Sequence, residues 1–317
     1  MKDNSKLFSV SVSPHIRAPI SVSRVMCMVI ISLIPAGVLS VVFFGIRVIG
    51  VIGVSIFFAV LSEFLFQKIA GKEVTIKDGS AIITGLLLAF VLPPSVPLWL
   101  PAIGAVFAIV VVKQIFGGLG HNFLNPALAA RAFLLAAWPV EMTTWIKPFS
   151  AVTSATPLAI VKGLGEVAGQ IPSYLDLFTG NVGGCIGETS AVALLAGGIF
   201  LLSFRIIDWR IPLSFIGTVF VLSWIFAGKN GLFTGDPVFH ILAGGLMLGA
   251  FFMATDYVTS PVTPKGKLIM GSGCGIITVL IRVYGGYPEG VCYSILIMNA
   301  FTPLIERLTI PRKFGEK

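Results

Sequence analysis

Charged residues are scarce in this sequence. Asp, Glu, Lys and Arg make up 11% of its 317 residues, where a soluble domain carries about 25%. That leaves 22 Lys and Arg with 14 Asp and Glu, too few to cover one or two globular surfaces. Cysteine is sparse too: Cys27, Cys185, Cys274 and Cys292 lie far apart with no Cys-x-x-Cys pair, which argues against a disulfide framework or a zinc knuckle. Cys27 and Cys274 are expected to be small buried apolar side chains. Among the three histidines, His121 and His240 stand alone, and haem or metal ligation needs partners that the spacing does not supply. The N-terminal residues 1–24 contain Lys2, Lys6, Arg17, Arg24, Pro14 and Pro19 but no apolar run leading to a small-residue cleavage site, so they are not expected to act as a signal peptide. No residue reads as a stand-alone catalytic acid, base or nucleophile.

What is abundant is apolar surface: 56% hydrophobic residues and a mean hydropathy of +0.97. The expectation is an all-α integral membrane protein. A spanning helix needs about 20 mostly apolar residues, and ten stretches are candidates: residues 25–46, 48–66, 80–92, 98–116, 123–138, 184–204, 211–228, 237–255, 268–284 and 290–305. Pro93, Pro94 and Pro97 separate the third from the fourth. Lys and Arg favour cytoplasmic loops. With the N-terminus inside, only Arg47, Lys147, Lys162, Lys229 and Arg282 fall on the outer side, Arg131 lies within a helix, and the other sixteen basic residues are cytoplasmic. Both termini are thus expected in the cytoplasm of a prokaryotic cell, and the net charge of +8 reads as an orientation signal rather than a nucleic-acid patch.

Two related halves are also expected. Gly85-Leu-Leu-Leu-Ala-Phe90 runs into Pro93, Pro94 and Pro97; Gly245-Leu-Met-Leu-Gly-Ala-Phe251 runs into Pro261 and Pro264. Five helices per copy is an odd number, so the copies would form an inverted repeat. The expected organisation is a cytoplasmic segment at 1–24, a first five-helix repeat at 25–139, an outer loop at 140–183, a second repeat at 184–308 and a cytoplasmic tail at 309–317. Thirty-five glycines suit close helix packing in lipid. The run Phe116-Gly-Gly-Leu-Gly-His-Asn-Phe-Leu-Asn-Pro126 is the best place for non-helical backbone at membrane depth. It lacks the Gly-Lys-Ser/Thr ending of a phosphate loop.

The long polar interval, 140–183, contains Ser154-Ala-Thr-Pro-Leu158. Thr156 is a good helix N-cap, Pro157 suits the first helical position and residues 158–162 can continue a short helix. Charged groups inside spans are functional candidates because hydrocarbon leaves them unsolvated. Glu63, Arg131, Glu188, Asp236, Asp256 and Arg282 qualify; most lie near predicted span ends, where snorkelling explains them. Arg131 is the deepest and is expected to pair with a carboxylate across the bundle.

Several landmarks, in order, carry a family likeness: Ser13-Pro-His-Ile-Arg17, the run from Phe116 to Phe133 with Asn125-Pro-Ala-Leu-Ala-Ala-Arg131 at its core, Ser154-Ala-Thr-Pro-Leu158, and Asp256-Tyr-Val-Thr-Ser-Pro261. Over nearly the whole chain the sequence resembles the family that contains the D subunit of the Rnf complex and the B subunit of the sodium-pumping NADH:quinone oxidoreductase, and its short loops favour the Rnf branch. The resemblance implies FMN bound through a phosphoester to a threonine, carried over to Thr156, and installed by a flavin transferase that uses FAD. The family's usual Gly-Ala-Thr is Ser154-Ala-Thr here. Resemblance to the sodium pump also implies riboflavin near Asn122 and Asn125; residue types alone equally allow these two amides to cap or satisfy a broken helix.

The implied function is a membrane subunit that passes electrons between reduced ferredoxin and NAD, coupled to Na+ or H+ movement. The implied partners are a cytoplasmic flavin and iron–sulfur subunit, two small membrane subunits and an outer flavin subunit. A channel or carrier for a small solute, built on the same repeat, is the competing reading.

Overall fold

The computed structural model describes residues 21–150, 152–163, 171–228 and 231–311. The landmark at residues 13–17, Lys2, Lys6, Lys229 and the tail from residue 312 lie outside them. The described residues are helical, with one isolated antiparallel bridge between Ile146 and Thr153.

In chain order the helices are α1 (Val22–Phe44), α2 (Arg47–Ile69), α3 (Ser80–Phe90), α4 (Trp99–Val106), α5 (Pro126–Ala137), α6 (Pro139–Met142), α7 (Pro157–Lys162), α8 (Tyr174–Thr179), α9 (Ala191–Ser203), α10 (Arg210–Phe226), α11 (Pro237–Leu242), α12 (Leu246–Leu248), α13 (Pro264–Tyr284) and α14 (Val291–Thr309). Of these, α1, α2, α13 and α14 are long and apolar enough to cross a membrane. The other six candidate stretches hold shorter helices, two of them extended by π-helical turns at Phe107–Gln114 and Gly249–Met253.

Glycine allows the closest helix contacts. A Cβ on Gly85 of α3 would lie 2.7 Å from the Ile56 Cα and 2.9 Å from the Ser55 carbonyl oxygen of α2, and the Ser55 hydroxyl donates to the Gly85 carbonyl at 2.7 Å. Gly197 of α9 meets α1 in the same way, its Cβ position 2.2 Å from the Ser32 oxygen. Every residue of α3 except Ile82 is buried, and so is the run 246–254, as expected for segments that are apolar all round. Conversely, Cys27 is exposed rather than buried. It shares a helical face of α1 with the exposed Ile31, Ile34, Val38 and Val42, an apolar stripe that the described residues leave uncovered.

Two helix breaks organise the interior. The first follows the π turn after α4: Gly117, Gly118 and Gly120 adopt φ of 124°, 98° and 95°, where a side chain would be strained, so the expected break forms. The second lies between α11 and α12, where Ala243 is extended and Gly244 has φ 73°. Arg282 of α13 satisfies the carbonyls freed there, donating to His240 and Ala243. The first break meets the second π turn where the Asn125 side-chain amide donates to the Met253 carbonyl at 3.3 Å.

One loop contact agrees with the charge-based sidedness. Asp208 accepts from Arg210 at 2.8 Å and Lys267 at 3.0 Å, joining two basic residues expected on the same face.

The glycine contacts give a stability test. Gly85→Ala must push backbone apart and should destabilise by about 1–3 kcal/mol, seen as a lower Tm of the detergent-solubilised protein. Gly53→Ala in α2, where a Cβ meets nothing within 4 Å, should leave Tm equal or slightly higher, since alanine is the better helix former.

Candidate functional site

Two cavities flank α5. The inner one has a mostly apolar lining that includes Phe251, Phe252 and Leu87, and its polar groups include Lys113, Asn122, Asn125, Thr255 and Asp256. Asn125 caps α5: its Oδ1 accepts from the Ala127 and Leu128 backbone N–H groups at 3.1 and 3.2 Å. With its amide on Met253, both ends of this side chain are committed to the protein. Asn122 donates to the Leu124 carbonyl at 3.2 Å, and its Oδ1 receives no hydrogen bond among the described residues. The two asparagines therefore line one cavity, but only Asn122 has an amide atom to offer a ligand.

Beneath this cavity lies a buried charge pair. Lys113 and Glu63 are 2% and 1% exposed and sit 2.7 Å apart. The Lys113 ammonium also donates to the Ser80 hydroxyl at 2.6 Å, and Gln114 donates to the same Glu63 oxygen at 2.7 Å. Glu63 is thus enclosed rather than placed at a snorkelling span end, and Lys113, expected as a cytoplasmic loop charge, is its partner. Hydropathy does not show this because the two are 50 residues apart and meet only through the packing of α2 against the π turn.

The outer cavity, about 340 Å³, is lined by Arg131, Trp145, Thr156, Tyr287, Glu289 and Tyr293 among others. Thr156 is the N-cap of α7, its hydroxyl accepting from Ala159 N–H at 3.2 Å, with Pro157 at the first position. It is half-buried at the mouth of the cavity. The strand-like pairing of Ser154 N–H with the Trp145 carbonyl at 3.0 Å holds the loop, while the Ser154 hydroxyl is buried without a partner. Lys162, at the end of α7, donates to the Ile281, Gly285 and Tyr287 carbonyls, and so anchors the Thr156 loop on the end of α13.

The cavity floor is charged. Arg131 pairs with Glu188 at 3.0 Å and Glu289 at 2.9 Å. The expected cross-bundle partner exists, in two copies; Glu289 gives no signal in the sequence because it sits in a short loop that reads as solvated. Arg282 and Asp236 are accounted for structurally, the first by the α11 carbonyls and the second as the N-cap of α11. Further out, hydrogen bonds from the Ser173 hydroxyl and the Asn181 amide hold the Asp176 carboxyl below its usual range.

The profile of the NQR2, RnfD, RnfE family matches residues 9–315. The chain belongs to that family. It is 50% identical to the D subunit of the proton-translocating ferredoxin:NAD(+) oxidoreductase complex of Clostridium ljungdahlii, over 98% of this chain and 97% of that protein. It is 52% identical to the D subunit of the Na(+)-translocating ferredoxin:NAD(+) oxidoreductase complex of Acetobacterium woodii, over 98% and 96%. The D subunit of the ion-translocating oxidoreductase complex of Halorhodospira halophila is 36% identical over 95% and 94%.

The buried pair of this family member can be tested by stability alone. Glu63→Ala strands the Lys113 ammonium in the interior and should cost about 3–5 kcal/mol. The double variant Glu63→Leu with Lys113→Met removes both charges and should recover most of that loss, read as Tm in detergent. A double-variant loss equal to the sum of the losses in Glu63→Leu and Lys113→Met alone would show that the two residues act independently.

Proposed function

We propose that this chain is the D-type membrane subunit of an ion-translocating ferredoxin:NAD+ oxidoreductase, and that it carries FMN esterified to Thr156. The observation behind the proposal is the near end-to-end identity of about half with two subunits so named. These names leave little support for the small-solute channel reading. Ten spans in two inverted five-helix repeats, with both termini cytoplasmic, is the topology we propose. It is supported by two like passages, each a π turn followed by non-helical backbone and then by a helix with Pro at its start.

The residues present fit a flavin at both cavities. Thr156 offers a hydroxyl on a short loop that lines a cavity together with Arg131, Tyr287 and Tyr293. The neighbouring Ser154 hydroxyl lacks a partner, and the N–H groups opening α7 can meet a phosphate; with only six residues, that helix adds little dipole. At the inner cavity Asn122 offers a free carbonyl oxygen beside an apolar lining, which suits a non-covalent riboflavin. Bound flavin would supply the one- and two-electron chemistry, and the protein supplies position and electrostatics.

What the chain itself contributes is spacing. Asn125 begins α5 and Arg131 lies six residues along it, so the two cavities are separated by roughly 9 Å of helix at 1.5 Å per residue. Lys113 and Arg131 place one cation at each cavity. In this reading the subunit works with a cytoplasmic flavin and iron–sulfur subunit, two small membrane subunits, an outer flavin subunit and a maturing flavin transferase. Na+ or H+ would be the coupled ion.

Two experiments test these assignments. From cells with the transferase, the purified protein should give a band on a denaturing gel that fluoresces under ultraviolet light, and Thr156→Ala should be dark; a dark wild-type band, or a bright variant, overturns the attachment. A cysteine placed at Val152 should be labelled by an impermeant reagent from outside the cell, and labelling from the cytoplasm alone would invert the topology.

A further inference from the structure

Arg131 has more hydrogen-bonding capacity than its ion pairs use. A guanidinium carries five N–H donors. Among the described residues three are engaged: one on Nη1 with Glu188, and two on Nη2 with Glu289 and with the Cys185 sulfur at 3.4 Å. The Nε hydrogen and the second Nη1 hydrogen have no partner among those residues, and Arg131 lines the same outer cavity as Thr156. A cation that has been brought inside a helical bundle, held by two carboxylates and left with free N–H groups that point apart, can give a single hydrogen bond to an acceptor atom of a ligand in the cavity.

The cavity walls point to the same ligand class. Tyr287 and Tyr293 stand with ring centroids 5.5 Å apart and planes inclined by 35°, and both border the cavity. Anything tethered at Thr156 and folded inward meets these rings and Arg131 together. The charges nearby are close to balanced. A Cβ on Gly244 would lie 3.0 Å from a Glu289 oxygen and 3.3 Å from Arg282 Nη2, so a second guanidinium stands beside Glu289, giving two cations for two carboxylates. The cluster is therefore close to neutral as a whole, and Arg131 is the cation of it that lines the cavity with Thr156.

We propose that Arg131 binds the pyrimidine edge of the flavin carried on Thr156 and sets its reduction potential, with Glu188 and Glu289 acting as positioning residues that hold the guanidinium in place. This rests on the Thr156 attachment and adds the location of the ring and the residue that tunes it. A reduced flavin gathers negative charge along its N1 and C2 carbonyl edge, so a guanidinium there stabilises the reduced form over the oxidised one, and its removal must lower the potential.

The test is a potentiometric titration of the purified protein followed by flavin absorbance. The component that disappears in Thr156→Ala is assigned to the tethered group. Because Arg131→Gln alone would strand two carboxylates, the variant is Arg131→Gln with Glu188→Gln, which removes one charge of each sign. The tethered component is expected to shift toward oxidised flavin by tenfold or more, about 30 mV for a two-electron couple, with Arg131→Lys giving a smaller shift in the same direction. Potentials within twofold of wild type in both variants overturn the proposal. If the double variant does not fold, Arg131→Lys decides by the same twofold criterion. A fluorescent wild-type band on the denaturing gel with unshifted potentials sinks only the Arg131 role, whereas a dark wild-type band sinks the attachment itself.

Discussion

The Arg131 guanidinium is buried within the helical bundle, so its charge has to be met by the chain, because hydrocarbon and apolar side chains cannot solvate it. It is met by Glu188, just before α9, and Glu289, just before α14, both far along the sequence from α5. One residue thus ties the first set of helices to two places in the second. Breaking such a pair from one side is far costlier than never having had it, so the relative placement of α5, α9 and α14 is constrained wherever Arg131 is retained. Arg131 and Glu289 of this cluster line the outer cavity, so the contact that ties these elements together also supplies its charged wall.

The same rule explains the helix breaks. Non-helical backbone inside a bundle leaves carbonyl and N–H groups without partners, and each break here is repaired by a side chain from another element. Arg282 covers the end of α11, Glu289 accepts from the Gly245 N–H at the start of α12, and Asn125 serves both the start of α5 and the end of the second π turn. Backbone pairing does this work at the end of α3, where the Ile186 and Gly187 N–H groups donate to the Leu92 and Phe90 carbonyls at 3.0 and 2.8 Å. Polar residues that are candidates for chemistry by type divide accordingly: Asp236 and Asn125 cap helices, Arg282 spends both Nη groups on backbone carbonyls, and Asn122 and Arg131 retain unused hydrogen-bonding atoms beside a cavity.

Local signals are legible in the sequence and long-range ones are not. Thr156 followed by Pro157 announces a helix start, and the glycine run at 117–120 announces a break; both depend on φ, ψ and caps within a few residues. The depth of Arg131 is legible because a lone cation in an apolar stretch demands a partner, yet which carboxylates answer it depends on how α9 and α14 pack. Lys113 reads as a loop charge for the same reason: its hydropathy environment ends at a glycine-rich run, and nothing local shows that a π turn swings it toward Glu63. Cys27 differs in kind. Burial in an apolar chain is not implied by an apolar neighbourhood when the outer face of a helix has lipid for a neighbour.

The contrast between the two cavities bears on how each would hold a flavin. The inner one is lined by α3, the first helix break and the second π turn, and it is largely apolar, so a ring could be held there by apolar contact and a few amide hydrogen bonds. The outer one is lined in part by loop residues, among them Trp145, Thr156 and Glu289, where a free ligand would exchange with solvent. A covalent tether matters most at such a site: it replaces an equilibrium dependent on ligand concentration with a high effective concentration set by the link, and leaves the cavity residues to orient the ring instead of retaining it. Attachment at the outer loop and non-covalent binding at the inner cavity, as proposed, would then match the two linings: loop residues and the Arg131 cluster at one end of α5, apolar helix faces around Asn125 at the other.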